Sequence, residues 1–280
     1  MTDMKSKYSD YLREDIGSGD LTSELLVPAR RQATGKIISK ERCVLAGLQE
    51  ASSVFEELGA QTTIVVEEGA TAGKDDVVLT VRGSARAILS GERLALNFLM
   101  RMSGIATLTN DLLLRCKKVN TEVRIAATRK TTPGFRQFEK RAVSVGGGDT
   151  HRFGLDDAIL IKDNHIAIAG GIREALRSAR RTASFTKKIE IEVESVKDAL
   201  VAVEEGADII MLDNFTPEEG EKVAREVRAA NPLIIIEVSG GIKPENIESY
   251  AAFADIISLG WLTHSVRSID FSMEIEPVQD

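Results

Sequence analysis

The stretch KIEIEVE, Lys188 to Glu194, sets Ile189, Ile191 and Val193 against Glu190, Glu192 and Glu194 in strict alternation. Side chains alternate between the two faces of a strand, so three carboxylates share one side and three β-branched residues the other. One reading is an antiparallel strand with a wet face. The other is a strand whose acidic side faces an enclosed space, and the flanking sequence decides between them.

From Val123 onward, short β-branched runs (VRIAA, AILI, KIEIEV, DIIML, LIIIEV, DIISL) alternate with helical stretches such as GIREALRSARR, SVKDALVAVEEG and TPEEGEKVAREVRAA. That rhythm predicts repeated βα units around a parallel sheet. An open doubly wound sheet and a closed barrel both fit it. The strand ends favour the barrel. VRIAA runs into Thr128, Arg129 and Lys130, AILI into Lys162 to His165, DIIML into Asp213 and Asn214, LIIIEV into Ser239, and DIISL into Gly260. Polar groups from so many strands meet at one mouth only when a sheet closes or nearly closes. The Glu side of KIEIEVE then faces the upper lumen, and Ile189, Ile191 and Val193 pack under helices. Carboxylates grouped there need cations: Lys, Arg, or a hard metal such as magnesium.

The first part of the chain reads as α+β. GKIIS (35 to 39), TTIVVEE (62 to 68) and DVVLTVRG (76 to 83) are strand-like, and Gln49 to Leu58 is helical. Gly91 to about Lys118 reads as two helices with a break at Gly104. With 280 residues and 43% hydrophobic content, the chain can bury a large core and divide into two domains. A net charge of −7 argues against a general nucleic-acid binder. No stretch approaches the length of a spanning helix, and the N-terminus is polar where a signal peptide is apolar. Cys43 and Cys116 lie far apart without metal spacing, which points to reduced thiols and a cytoplasmic protein.

Ser239, Gly240 and Gly241 after the penultimate strand, and Gly260 after the last, stand where barrels bind phosphate through backbone amides. Neither nucleotide-binding glycine fingerprint occurs, and GGG at 146 to 148 reads as a flexible turn. Cations concentrate in TRKTTPGFR (128 to 136) and THRF (150 to 153). Lys162 directly follows an apolar run, so its ammonium needs an anion. Glu192 and Asp213 offer a two-carboxylate arrangement for Mg2+, with an ion pair to Lys162 as the structural alternative.

Taken with EDIGSGDLT, GERLALNFLMRMSGIAT, EKRAVSVGGGDTHRFGL, LIKDNH, EIEVES, MLDNF, SGGI and LGWLTHS, these segments resemble the quinolinate phosphoribosyltransferase family over nearly the full chain. The resemblance implies an N-terminal α/β sandwich over residues 1 to 110, to which the tail 266 to 280 returns, and a barrel-like (β/α) catalytic domain over 111 to 265. It also implies a homodimer with shared active sites, leaving open a higher oligomer of dimers, acting on quinolinate and phosphoribosyl pyrophosphate with Mg2+ and with neither nucleic acid nor membrane as partner. By motif position, Arg129, His151, Arg152 and Lys162 carry over to the quinolinate carboxylates, with Arg93 supplied by the neighbouring subunit. Lys130 faces the pyrophosphate, Glu192 and Asp213 the metal and ribose, and Ser239, Gly240, Gly241 and Gly260 the 5′-phosphate. Catalysis falls to Lys130, Lys162, Glu192 and Asp213. Other barrel phosphoribosyltransferases, a molybdate-operon paralogue of this fold, and a non-catalytic phosphometabolite sensor are the rival readings.

Overall fold

The computed structural model describes residues 4–278. The chain forms two compact units, one running to Leu108 and resuming at Ser265, the other covering Thr109–His264. In chain order the first unit begins with α1 (Met4–Ile16), α2 (Leu21–Leu26), β1 (Gln32–Ser39), β2 (Cys43–Val44), α3 (Leu48–Glu57), β3 (Gln61–Ile64), β4 (Thr71–Ala72) and β5 (Val77–Ser84), then enters α4 (Ala85–Cys116), within which the unit boundary falls. The second unit carries β6 (Arg124–Ala126), α5 (Arg136–Val145), β7 (Ile159–Ile161), α6 (Asp163–Ala169), α7 (Ile172–Thr182), β8 (Ile189–Val193), α8 (Val196–Glu204), β9 (Ile209–Asp213), α9 (Pro217–Ala230), β10 (Ile235–Ser239), α10 (Ile247–Ala251), β11 (Ile256–Ser258) and α11 (Trp261–His264). A last strand, β12 (Phe271–Pro277), belongs to the first unit, where it pairs antiparallel with β1 from Ala33↔Pro277 to Ser39↔Phe271.

The first unit is built on an antiparallel sheet of order β12-β1-β5-β3. Its core collects Ile37, Leu79, Val54, Phe55, Ile88, Phe98, Leu99 and Met102, each essentially free of solvent. The strand in the TTIVVEE run ends at Ile64, and Glu68 serves elsewhere. Its carboxylate accepts from Gly47 N (2.7 Å) and Leu48 N (3.1 Å), capping the start of α3.

Gly104 does not break α4, which runs without interruption through 32 residues. A Cβ at Gly104 would lie 2.3 Å from the carbonyl oxygen of Arg267, so the glycine is there to let another backbone approach the helix. Ala95, Phe98, Leu99, Met102, Ile105 and Ala106 keep the buried stripe continuous through that point. Cys43 and Cys116 are both free and buried. No helix among the described residues is long and apolar enough to cross a membrane.

The second unit holds a six-stranded sheet of order β6-β11-β10-β9-β8-β7, parallel at every pairing. β6 and β7 form its two edges, so hydrogen bonding does not close the ring. The 32 residues between those strands go into α5 and polar loops, and only Asp149 pairs beside Ala126. The sheet is still barrel-like, because all six strand ends line one cavity of about 500 Å³. Six flat strands would spread over roughly 24 Å, too wide to share a single pocket. The register sets how deep each polar group sits: Ile235↔Ile209, then Glu237↔Met211↔Glu192, then Ser239↔Asp213. Polarity therefore rises toward the strand ends. Helix starts are fixed by side chains, with Ser195 capping α8 and a reciprocal Thr216–Glu219 box ahead of Pro217 opening α9.

Gly104→Val should test the close approach. Overpacking of this kind costs about 1–3 kcal/mol, which corresponds to a melting temperature about 3–10 °C lower. An unchanged melting curve would mean that the 267–268 segment yields freely to the added side chain.

Candidate active site

Glu190, at the base of the KIEIEVE face, is 2% exposed, and Glu237 on β10 is fully buried. Between them stands one cationic partner, His151. Its Nε2 lies 3.5 Å from Glu190 Oε2 and 3.4 Å from Glu237 Oε2. Ser258 Oγ donates to the other Glu237 oxygen at 2.6 Å. Burial alone would push the imidazole down. Hydrogen bonds and charge from Glu190 and Glu237 outweigh it and hold His151 up at about 10. His151 Nδ1 accepts from Arg152 N at 2.8 Å, so the ring proton is on Nε2 and points at the carboxylates. A second proton must displace that bond or sit on Glu190, whose carboxyl is itself raised by burial. His151 and Glu190 thus keep an extra proton between them near neutral pH. Their ligand atoms lie close enough together to hold a metal ion. The Nε2 proton argues against that use, because a metal would need the lone pair there and a proton on Nδ1.

Glu192, one turn of the strand pattern higher, pairs with Lys162. This is the anion that the end of the AILI strand demands. Asp213 caps β9 beside them. Burial and the charge of Glu192 raise its carboxyl, with Lys162 and Lys130 opposing. Glu194 departs from the sequence expectation. It lies beyond the end of β8, is exposed, and lines a neighbouring cavity rather than the main one. The alternation continues, but the strand has ended.

The opposite wall is basic. Arg129, Lys130 and Arg152 line the cavity, and none is paired with a carboxylate among the described residues. Arg129 Nε is buried with no hydrogen-bond partner. Burial and the neighbouring charge of Arg129 lower Arg152, against the pull of Glu190 and Glu237. A buried guanidinium nitrogen without an acceptor is costly.

Two turns complete the rim. Gly240 has φ +80 and would place a Cβ 2.3 Å from Asn214 Oδ1, so only glycine fits. Asn214 N donates to Ser239 O at 2.9 Å and itself adopts φ +58, which ties the β9 and β10 ends together. At Gly260 a Cβ would meet Lys130 Cδ at 2.7 Å, and Thr263 Oγ1 donates to Lys130 O at 2.7 Å. The loop bearing Arg129 and Lys130 is thereby seated on the turn after β11.

Of the residues singled out from sequence, Arg129, Lys130, His151, Arg152, Lys162, Glu192, Asp213, Ser239 and Gly240 line this one cavity. Gly241 and Gly260 stand in the flanking turns outside the lining. Arg93 is exposed on α4 in the other unit and takes no part in it. At the level of sequence, Thr128 and Asn214 stand at strand ends without an assigned role, and Glu237 and Ser258 pass unnoticed; all four line it. Glu237 carried a readable signal, since LIIIEV closes on the same Ile-Glu-Val that closes KIEIEV around Glu192.

The C-terminal-domain model of quinolinate phosphoribosyl transferase matches residues 105–274, and the N-terminal-domain model matches residues 20–103. A protein of Methanocaldococcus jannaschii named probable nicotinate-nucleotide pyrophosphorylase [carboxylating] is 49% identical over 269 residues, covering 94% of each chain. The human nicotinate-nucleotide pyrophosphorylase [carboxylating] is 38% identical over 266 residues, covering 95% of this chain and 89% of its own. The crystal structure of NadC from Streptococcus pyogenes is similar with a TM-score of 0.91 at 38% identity, covering 99% of this chain and 97% of that one.

The His151 pairing has a pH signature. Because the imidazole is held above its ordinary 6.5, at about 10, its stabilisation is complete below pH 6.5 and is lost as pH rises through about 10. Glu237→Gln should lower the His151 value by roughly one unit or more. Histidine NMR reads this directly, since the chain has only 3 histidines. No change would show that Glu190 alone holds the ring.

Proposed function

We propose that this chain, which belongs to the quinolinate phosphoribosyltransferase family, joins quinolinate to phosphoribosyl pyrophosphate and forms nicotinate mononucleotide, pyrophosphate and CO2. The observation that carries this reading is the cavity's division into a wall of cations without carboxylate partners, Arg129, Lys130 and Arg152, and a wall of carboxylates, Glu192, Asp213 and Glu237. Quinolinate presents two adjacent carboxylates. Arg129, Arg152 and Lys162 receive them, and His151 orients the ring beside them. In a cavity set back from bulk water each such charge-assisted contact is stronger than in water.

Displacement at ribose C1 builds positive charge on the sugar and negative charge on the leaving pyrophosphate. Glu192 and Asp213 stabilise the first, and Lys130 the second. Ser239, Gly240, Gly241 and Gly260 offer backbone amides to the 5′-phosphate. Glu192 and Asp213 would hold Mg2+, and the donor set fits. Asp213 carries a carboxyl raised by burial and by Glu192, an excess of negative charge that a hard cation relieves. When bound, Mg2+ supplies charge neutralisation for the pyrophosphate. Once the pyridine nitrogen is alkylated, loss of the 2-carboxylate as CO2 leaves a carbanion beside a cationic nitrogen. A proton then replaces the lost group, so this step needs positioning rather than an electron-sink cofactor.

The working enzyme is a cytoplasmic homodimer in which Arg93 of α4 reaches the partner's quinolinate. Two buried free thiols suit a reducing compartment.

Turnover of quinolinate with phosphoribosyl pyrophosphate and Mg2+, read as CO2 and nicotinate mononucleotide, is the direct test. Nicotinate should be a poor substrate, and comparable kcat/KM for both acids would overturn the assignment. Arg152→Ala should weaken quinolinate binding by roughly two orders of magnitude in calorimetry.

Sharing of the site has its own test. Arg93→Ala and Lys162→Ala chains are each expected to be inactive as homodimers. Refolded together in equal amounts, about half the dimers are mixed, each with one intact site, and about a quarter of wild-type activity returns. Mixed dimers confirmed by mass spectrometry but lacking activity would remove Arg93 from the partner's site.

A further inference from the structure

Lys140, on α5, is fully buried and is paired with no carboxylate among the described residues. Its ammonium donates instead to two backbone carbonyls, Thr150 O and Arg152 O, the latter at 2.7 Å, and lies 5.4 Å from the centre of the Phe153 ring. The residue enclosed between those carbonyls is His151. His151 has φ +50, one of three non-glycine residues with positive φ among those described. A β-carbon resists this conformation, so surrounding bonds must hold it.

Those bonds form a charge pattern. The peptide joining Thr150 and His151 turns its carbonyl to Lys140 and its N–H to Asp149 Oδ1 at 2.7 Å. The peptide joining Arg152 and Phe153 turns its carbonyl to Lys140 and its N–H to Asp157 Oδ2 at 2.9 Å. Each peptide dipole is therefore aligned between a cation and a carboxylate. One turn earlier on α5, Arg136 donates to Phe153 O at 2.9 Å and to Thr131 Oγ1 at 2.9 Å. Glu139, also fully buried, accepts from Thr132 N and Thr132 Oγ1, both at 2.9 Å. One helix face thus grips both basic loops of the cavity, the 128–132 loop and the 150–153 loop.

We propose that Lys140 is a positioning residue for the diacid: its buried charge curls the backbone around His151 so that the His151 and Arg152 side chains face the cavity together. The inference rests on the quinolinate reading of that cavity. The clamp depends on charge, since a neutral amine would keep the packing but lose most of the pull on two carbonyls. Burial and Arg136 lower the Lys140 amine to about 8, with Asp149 and Asp157 opposing and Arg152 adding to the lowering. Its folded value lies below its ordinary 10.5, so the clamp weakens as pH rises through about 8.

The test compares wild type with Lys140→Met, which keeps the length of the stem and removes the charge, and with Lys140→Gln, which can still donate to a carbonyl. KM for quinolinate should rise roughly ten- to a hundredfold in Lys140→Met, whereas KM for phosphoribosyl pyrophosphate should stay within about twofold. Lys140→Gln should fall between. In ligand-free protein the His151 imidazole resonances should shift or broaden in Lys140→Met while those of His165 do not. An unchanged quinolinate KM, or equal rises for both substrates, overturns the proposal. If neither variant folds, the wild type decides: a quinolinate KM that rises above about pH 8 with a flat KM for the other substrate supports the clamp, and a flat or parallel pair overturns it. Should wild type turn over no quinolinate, the substrate reading is what fails, and the His151 resonances still report on the clamp without ligand.

Discussion

Two buried carboxylates set on strands that flank the same neighbour impose the central constraint on the catalytic unit. Glu190 on β8 and Glu237 on β10 project to the same side, separated by β9, and each would be expensive to keep ionised in that interior. One imidazole and one hydroxyl are what the protein places against them. His151 must therefore be drawn deep into the strand-end opening, which forces the 149–153 loop inward and bends its backbone into the left-handed region. Arg152 follows His151 in sequence, so bringing the imidazole to the carboxylates also delivers a guanidinium to the cavity wall.

The acids and the cations are carried by different kinds of structure. Glu190, Glu192, Asp213 and Glu237 stand on strands whose register is fixed by parallel ladders, while Arg129, Lys130 and Arg152 stand on loops. Loops carry function but need anchoring, and here the anchors are Arg136, Glu139 and Lys140 on α5, with Thr263 behind Lys130. Rigid carboxylates facing anchored cations give a site whose charge is arranged before substrate arrives, the condition under which electrostatic stabilisation costs no reorganisation.

Much of this was legible in the sequence because it depends on period and position. The two-residue period of KIEIEV puts Glu190 and Glu192 inside, and polar residues after apolar runs mark the strand ends that meet in the cavity. The signal failed where the decisive partner is distant along the chain. Gly104 reads as a break, yet it is explained by the carbonyl of Arg267, which no local pattern reveals. Glu194 continues the alternation past the end of the hydrogen-bonded strand, and Glu68 leaves a strand-like run to cap α3. The opening of the sheet between β6 and β7 was equally beyond periodicity, because the βα rhythm is the same for a closed ring and an open one.

Lys140 shows why a site can be read almost completely while its support stays hidden. In sequence it is one of three cations in RQFEKR, with nothing to set it apart. Its acceptors are backbone carbonyls, which carry no side-chain signature at all. Only the fold shows that this ammonium is buried and that the two carbonyls bracket a strained histidine. The residues that touch a substrate announce themselves by chemical type. Those that hold the backbone in place are recognisable only from what they are buried against, and a fully buried lysine that donates to backbone carbonyls rather than to an acid is a strong mark of that second class.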